Sequence, residues 1–234
     1  MKIVIKNIIV LAFFCGLVAC DSMNSIHEEY LDRGEEIYTG VIDSLKAYSG
    51  NERVKFTWEI NADPRITKTV IYWNDSADSS VVEVNRTQAG VMQMETILSL
   101  PEDSYIFKFV TKDDEGHKSL SVEKTVEIYG PDYAAMLRNR EIKSITTPEG
   151  GGILLTWGAI EDATLVYTMI SYTDYSNPSN PEKVEVMIEN NVSEWNLANV
   201  KEGDEILVSS VYQPEDCLDM FNAKATVYHI PARE

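Results

Sequence analysis

Val54, Phe56, Trp58 and Ile60 alternate with Lys55, Thr57 and Glu59. A period of two sets one face of an extended strand against a core and the other in water. The pattern returns further along the chain. Ile153, Leu155 and Trp157 stand 99 positions after Val54, Phe56 and Trp58, and Ile170 and Tyr172 stand 99 after Ile71 and Trp73. Val184 answers Val84 at an offset of 100, and the turn Lys201-Glu202-Gly203-Asp204 answers Glu102-Asp103. A spacing held this closely over several strands predicts two domains of one topology.

The first domain is expected over 35–130 and the second over 141–234. Further strands are read at Ile66 to Trp73, Val81 to Val84, Met94 to Leu100, Tyr105 to Phe109 and Leu120 to Tyr129. The turn Asp113-Asp114-Glu115-Gly116 precedes the last of them. Short strands separated by turn residues predict an all-β fold of two tandem antiparallel sandwiches, immunoglobulin-like in type. The join is 131–140. Gly130-Pro131 ends the preceding strand, and Ala134 to Arg138 suits a helical turn that would stiffen the connection.

The first 19 residues read as a signal peptide. Lys2 and Lys6 supply its positive start, and Ile8 to Val18 its uncharged apolar core. That run falls short of the roughly 18 apolar residues a membrane-spanning helix needs. It ends in Leu17-Val18-Ala19-Cys20, which resembles the lipobox of bacterial lipoproteins. The resemblance implies a diacylglyceryl thioether on Cys20, cleavage before it, and a polar tether over 20–34. Each buried acyl methylene contributes about 0.8 kcal/mol to membrane anchoring.

Cys15 would leave with the signal and Cys20 would carry lipid, so Cys217 stands alone. No intramolecular disulfide and no cysteine-cluster zinc site can then form. The chain has 38 acidic and 20 basic side chains, a formal charge of −18 that becomes −20 once Lys2 and Lys6 are removed. Such a surface repels phosphate backbones, so nucleic acid is not an expected partner.

Each half resembles a fibronectin type III domain. Trp58 and Trp157 stand where that family keeps its core tryptophan, and Pro101 with Tyr105 matches its tyrosine corner, although Ser99 replaces the usual leucine. The second half departs there, with Glu205 or Ile206 at the corner. The stretches Tyr30 to Tyr38, Asp63 to Ile66 and Val70 to Asn74 also resemble an uncharacterised lipoprotein family of gut Bacteroidota. That family is classed as a domain of unknown function and is often encoded near SusC/SusD-like outer-membrane glycan uptake systems. The resemblance covers roughly Tyr30 to Tyr133. It implies a lipid-anchored outer-membrane setting, with polysaccharide or SusC/SusD-like proteins as partners, and brings no catalytic residue. Asp21-Ser22-Met23, Asp43-Ser44-Leu45 and Asp75-Ser76-Ala77 resemble O-glycosylation acceptors of the same phylum, at Ser22, Ser44 and Ser76.

Little points to chemistry. His27, His117 and His229 belong to no His-Glu-x-x-His motif, and no Gly-x-Ser-x-Gly elbow is present. Gly150-Gly151-Gly152 lacks the Lys-Ser/Thr of a phosphate loop. Cys217 lies among Glu215, Asp216 and Asp219, whose charges oppose a thiolate. A glycosidase pair needs two carboxyls facing across a cleft, and sandwich ends are convex. No catalytic residue, metal or cofactor is therefore expected. Asp113, Asp114 and Glu115 do not fit an EF-hand spacing and read as a hairpin turn, with calcium as the other reading.

Trp58, Trp157 and Trp195 are expected in cores, and Trp73 and Tyr172 in packing. Tyr175 and Phe221 remain as candidate sugar platforms in loops. Phe221 shares the loop Gln213 to Asn222 with Gln213, Asp216 and Asp219, the preferred ligand-binding group. The expected function is a non-catalytic outer-membrane lipoprotein, glycan-binding or accessory to polysaccharide uptake. The alternative is a structural spacer or adhesin-like element that engages a protein partner.

Overall fold

The computed structural model describes residues 37–149 and 151–232. The signal peptide, Cys20, the tether, Ser22 and the stretch from Tyr30 to Glu36 lie outside the described residues.

The first sandwich has seven strands: β1 (Ile42–Gly50), β2 (Arg53–Ile60), β3 (Lys68–Trp73), β4 (Asp78–Glu83), β5 (Met92–Ser99), β6 (Asp103–Lys112) and β7 (Val122–Ile128). One sheet runs β1-β2-β5 and the facing sheet β4-β3-β6-β7. A short helix α1 (Pro131–Met136) follows. The second sandwich holds β8 (Ile142–Thr146), β9 (Ile153–Trp157), β10 (Leu165–Asp174), β11 (Glu182–Glu189), β12 (Glu194–Leu197), β13 (Glu205–Tyr212), β14 (Phe221–Asn222) and β15 (Thr226–His229). Its sheets are β8-β9-β12 and β11-β10-β13, with β14 and β15 both paired to β13. The two sandwiches share one strand order, that of a fibronectin type III domain, with the last strand broken in the second. Among the described residues no helix is long and apolar enough to cross a membrane.

The alternation that announced β2 places Val54, Phe56, Trp58 and Ile60 in the core at 1% exposure or less. Phe56 meets Phe107 and Phe109 edge-on at 4.8 and 5.1 Å, and Trp58 meets Phe109 at 5.5 Å. Such tilted pairs are favoured by the ring quadrupole beyond their buried area. The second core is aliphatic around Trp157, with Leu155, Ile170, Ile188, Ile206 and Val208. Trp73, Tyr172 and Trp195 pack against these cores as expected. The Tyr105 hydroxyl donates to the Pro101 carbonyl at 3.2 Å, closing the tyrosine corner.

In β1 and β8 a bulge interrupts the alternation. β1 has a bulge between Asp43 and Lys46, with Ser44 at φ 52°, and β8 has one between Ile142 and Ser144. An extra residue shifts every later side chain to the other face, which erases a period of two.

A buried hydroxyl repeats with the fold. Thr111 on β6 and Ser210 on β13 both have 0% of their surface exposed and lie 99 residues apart. Thr111 Oγ1 donates to the Gly40 carbonyl at 2.7 Å and contacts Thr39 Oγ1 at 2.8 Å. Ser210 Oγ accepts the Arg140 N–H at 2.8 Å, while the Ser210 N–H donates to Asn139 Oδ1 at 2.7 Å. In each domain this staple pins the segment that enters the first strand. Thr111→Val removes the hydroxyl and leaves the Gly40 carbonyl short of a partner. We expect a loss of about 1–3 kcal/mol, read as a lower urea midpoint at unchanged slope.

Candidate functional site

The segment Gln213 to Asn222 holds the loop after β13 and β14 itself, and its sequence explains its shape. The Cys217 N–H donates to the Pro214 carbonyl at 3.1 Å, and Gln213 Nε2 donates to the Cys217 carbonyl at 2.9 Å. The resulting tight arch carries Asp216 at φ 54° and turns Cys217 inward, leaving it 8% exposed. Burial pushes the Cys217 thiol up from its ordinary value, which opposes thiolate chemistry.

The arch is seated on the first domain. The Leu218 N–H donates to the Ser49 carbonyl at 2.7 Å, and Cys217 forms a parallel bridge with Ser49. Asp219 takes Arg53 in a two-pronged pair, Nη2 to Oδ1 at 2.6 Å and Nε to Oδ2 at 3.0 Å. Asp219 Oδ2 also accepts the Asn51 N–H at 2.8 Å. The Arg53 bond, with the Asn51 N–H adding to it, holds the Asp219 carboxyl below its ordinary value against the opposing effect of burial. Gly50 permits the approach, because a Cβ there would lie 2.6 Å from Asp219 Oδ2.

Phe221 completes the contact. Its ring meets Tyr133 of α1 at 5.1 Å and Tyr129 at 5.9 Å, both edge-on, and the two tyrosines lie 4.7 Å apart. Phe221 is 5% exposed. The expectation of Phe221 as an open sugar platform therefore fails: the ring is covered by the neighbouring domain. Asp219 is likewise engaged, and Gln213 closes the arch. Only Asp216 of this group stays exposed.

Tyr175 lies in the other loop, half-buried, and Lys201 Nζ sits 3.6 Å from its ring centroid. A cation on that face leaves it unsuited to stack on a pyranose. Ser44 and Ser76 are exposed, at φ 52° and 70°. Asp113, Glu115 and His117 bring one ligand atom each to within 4.8 Å of one another. Asp113 Oδ1 already accepts the N–H groups of Glu115 and His117 at 3.0 and 2.8 Å, and its Oδ2 contacts His117 Nδ1 at 2.6 Å. These are the bonds of a turn, and a cation would have to break the last of them.

The residues that sequence reasoning missed are Arg53, Tyr129 and Tyr133. Arg53 reads as one polar position of an alternating strand, and no local pattern pairs it with Asp219. Tyr133 beside Gly130-Pro131 was the one available sign, an aromatic in a connection that otherwise has no core to join.

A family model described as a domain of unknown function matches residues 20–221. No curated protein matches the chain. Among solved structures it is similar to chicken CNTN1 FN1-FN3 domains, at 11% identity and a TM-score of 0.36, over 83% of this chain and 65% of that one. It is also similar to a two-domain fibronectin type III segment from chicken tenascin, at 12% identity and a TM-score of 0.32, over 82% of this chain and 99% of that one. Likeness this low decides nothing; the strand order described above carries the fold.

Phe221→Ala should open the joint and lower stability by about 3–5 kcal/mol, the cost of deleting a buried phenyl ring, measured by chemical unfolding. The pH dependence has a definite sign. Asp219 titrates below its unfolded value, so its contribution is complete above the ordinary carboxylate value of about 3.9 and is lost as pH falls through the lower folded value. Contacts between Leu218 and Ser49, followed by NMR, should persist at pH 5 and weaken only below about pH 4.

Proposed function

The chain belongs to the DUF4998 family, a domain of unknown function, and from that starting point we propose that it is a stiff structural or adhesin-like element. In this reading it is non-catalytic and is held at the outer membrane by lipid on Cys20. The joint carries the proposal. Aromatic burial, a two-pronged ion pair and a backbone hydrogen bond all cross from the second sandwich to the first. A chain built to let its domains swing would have no use for them, since domain motion is the default where interfaces are small and polar.

The connection itself supports the same reading. Tyr212 donates its hydroxyl to the Arg138 carbonyl. Asn139 Nδ2 reaches the Lys224 carbonyl at 2.6 Å and Thr226 Oγ1 at 2.8 Å. Glu102 accepts the N–H groups of Asp132 and Tyr133 at 2.7 and 2.6 Å, capping α1 from the first domain. A spacer of this kind presents its far end at a set distance and angle from its first sandwich. A glycan-binding role draws less support, because Phe221 is used in the joint and Lys201 covers Tyr175.

Small-angle scattering of the soluble chain tests the proposal. The wild type should fit a single conformation, and Asp219→Ala combined with Phe221→Ala should require an ensemble of domain angles. An ensemble already needed for the wild type would overturn the spacer reading. Cys20→Ser should release the protein from the membrane fraction, and retention there would remove the lipid anchor from the account.

A further inference from the structure

A cavity of about 560 Å³ lies beside the joint, between the segment Met136 to Lys143 and the loop Ala159 to Asp162. Arg140 forms part of its wall and is 8% exposed. Its Nε donates to the Gly158 carbonyl at 3.1 Å, and its guanidinium lies 5.6 Å from the Trp157 ring centroid. Nη1 is buried with no acceptor. Among the described residues no carboxylate pairs with this guanidinium, in a chain with 38 acidic side chains.

Burying an arginine without an anion is costly, and proteins normally pair such a charge. The fold does not ask for it. The staple aligns Asn139 with Thr39 and Arg140 with Gly40, each at an offset of 100. The first sandwich forms its staple with glycine at this place. The staple itself therefore does not require a charge at position 140.

We propose that this cavity binds a small carboxylate, with the Arg140 guanidinium as its counter-ion. A planar carboxylate matches the planar fork of arginine in two parallel bonds, which a lysine cannot reproduce. The rest of the lining narrows the class. Arg138 and Lys143 are offset by Glu141, Glu161 and Asp162, so the cavity has little net charge and disfavours a dianion such as a phosphate monoester. The acidic side chains accept hydrogen bonds, and therefore suit donors carried next to the carboxylate. Hydroxyls of a sugar acid and the ammonium of an amino acid both answer that description. Nε is engaged by the Gly158 carbonyl and Nη1 is covered, so a carboxylate pairs with Nη1 and Nη2 only when the wall around Nη1 opens. The site shares Arg138, Asn139 and Tyr212 with the connection, but neither Phe221 nor Asp219 of the joint lines it.

The test is an NMR titration of the chain, reading backbone amides and the arginine Nε–H groups, with sodium glucuronate, sodium glutamate, glucose and inorganic phosphate. Saturable shifts at Arg140 and its neighbours are expected with glucuronate or glutamate, and whichever binds identifies the source. Glucose and phosphate should bind at least about tenfold more weakly, as should glucuronate or glutamate to Arg140→Lys. Because Arg140 also contributes to packing, Lys143→Glu on the exposed rim serves as a second variant, with an expected loss of about two- to threefold. Absence of saturable shifts with both carboxylates at millimolar concentration would overturn the proposal. So would equal binding of glucose, or affinity unchanged in both variants.

Discussion

Two sandwiches on one chain become one body only when burial crosses between them, and here the burial is that of the Phe221 ring against Tyr129 and Tyr133. The polar contacts around it do a different job. Arg53 and Asp219 keep 40% and 24% of their side-chain surface exposed, and pairs so exposed add little net stability. Their two-pronged geometry, the Asn51 N–H and the Ser49–Leu218 backbone bond instead select one orientation among those the rings would tolerate. Apolar contact holds the domains together, and directional bonds set the angle. Gly50 leaves room for the ion pair, since a Cβ there would lie 2.6 Å from Asp219 Oδ2 and the carboxylate would have to shift.

The hydrogen bonds that pin the connection descend from the duplicated fold itself. In each sandwich a buried hydroxyl on the sixth strand holds the residues leading into the first, through Thr111 in one and Ser210 in the other. In the first sandwich this fastens the chain's entry. In the second the same device fastens the link between domains, because the segment entering the second domain is also the one leaving the first. A feature needed for folding a single sandwich therefore stiffens the pair.

The two copies part company at the hairpin after that sixth strand. In the first sandwich Asp113 folds its side chain onto two backbone N–H groups and His117, and β7 follows after a tight turn. In the second, the hairpin extends from Gln213 to Asn222 and the last strand is split into β14 and β15. The lengthened arch is what reaches the first domain. The cores differ as well: the first is filled by four aromatic rings, Phe56, Trp58, Phe107 and Phe109, and the second by aliphatic side chains around Trp157. Same strand order and different contents fit one architecture with two tasks. The first copy is a plain packed unit, and the second adds the arch and a buried arginine.

Local periodicity was enough to read β2 and β9, because it depends on residues a few positions apart that face one way; its return 99 residues on pointed to the shared topology, and the Pro101–Tyr105 corner was implied by the resemblance to fibronectin type III domains. Bulges hid β1 and β8 for the same reason, since one inserted residue reverses the facing of all that follow. Phe221 shows the other limit. An aromatic ring in a polar loop has the same sequence whether it lies open to a ligand or under a neighbour. The choice was made by Tyr129 and Tyr133, far along the chain. Burial sums contacts over space, and no window along the sequence contains them. The unpaired guanidinium of Arg140 belongs to the same class: its charge is visible in the sequence, but that it has no partner is decided only when the chain has folded around it.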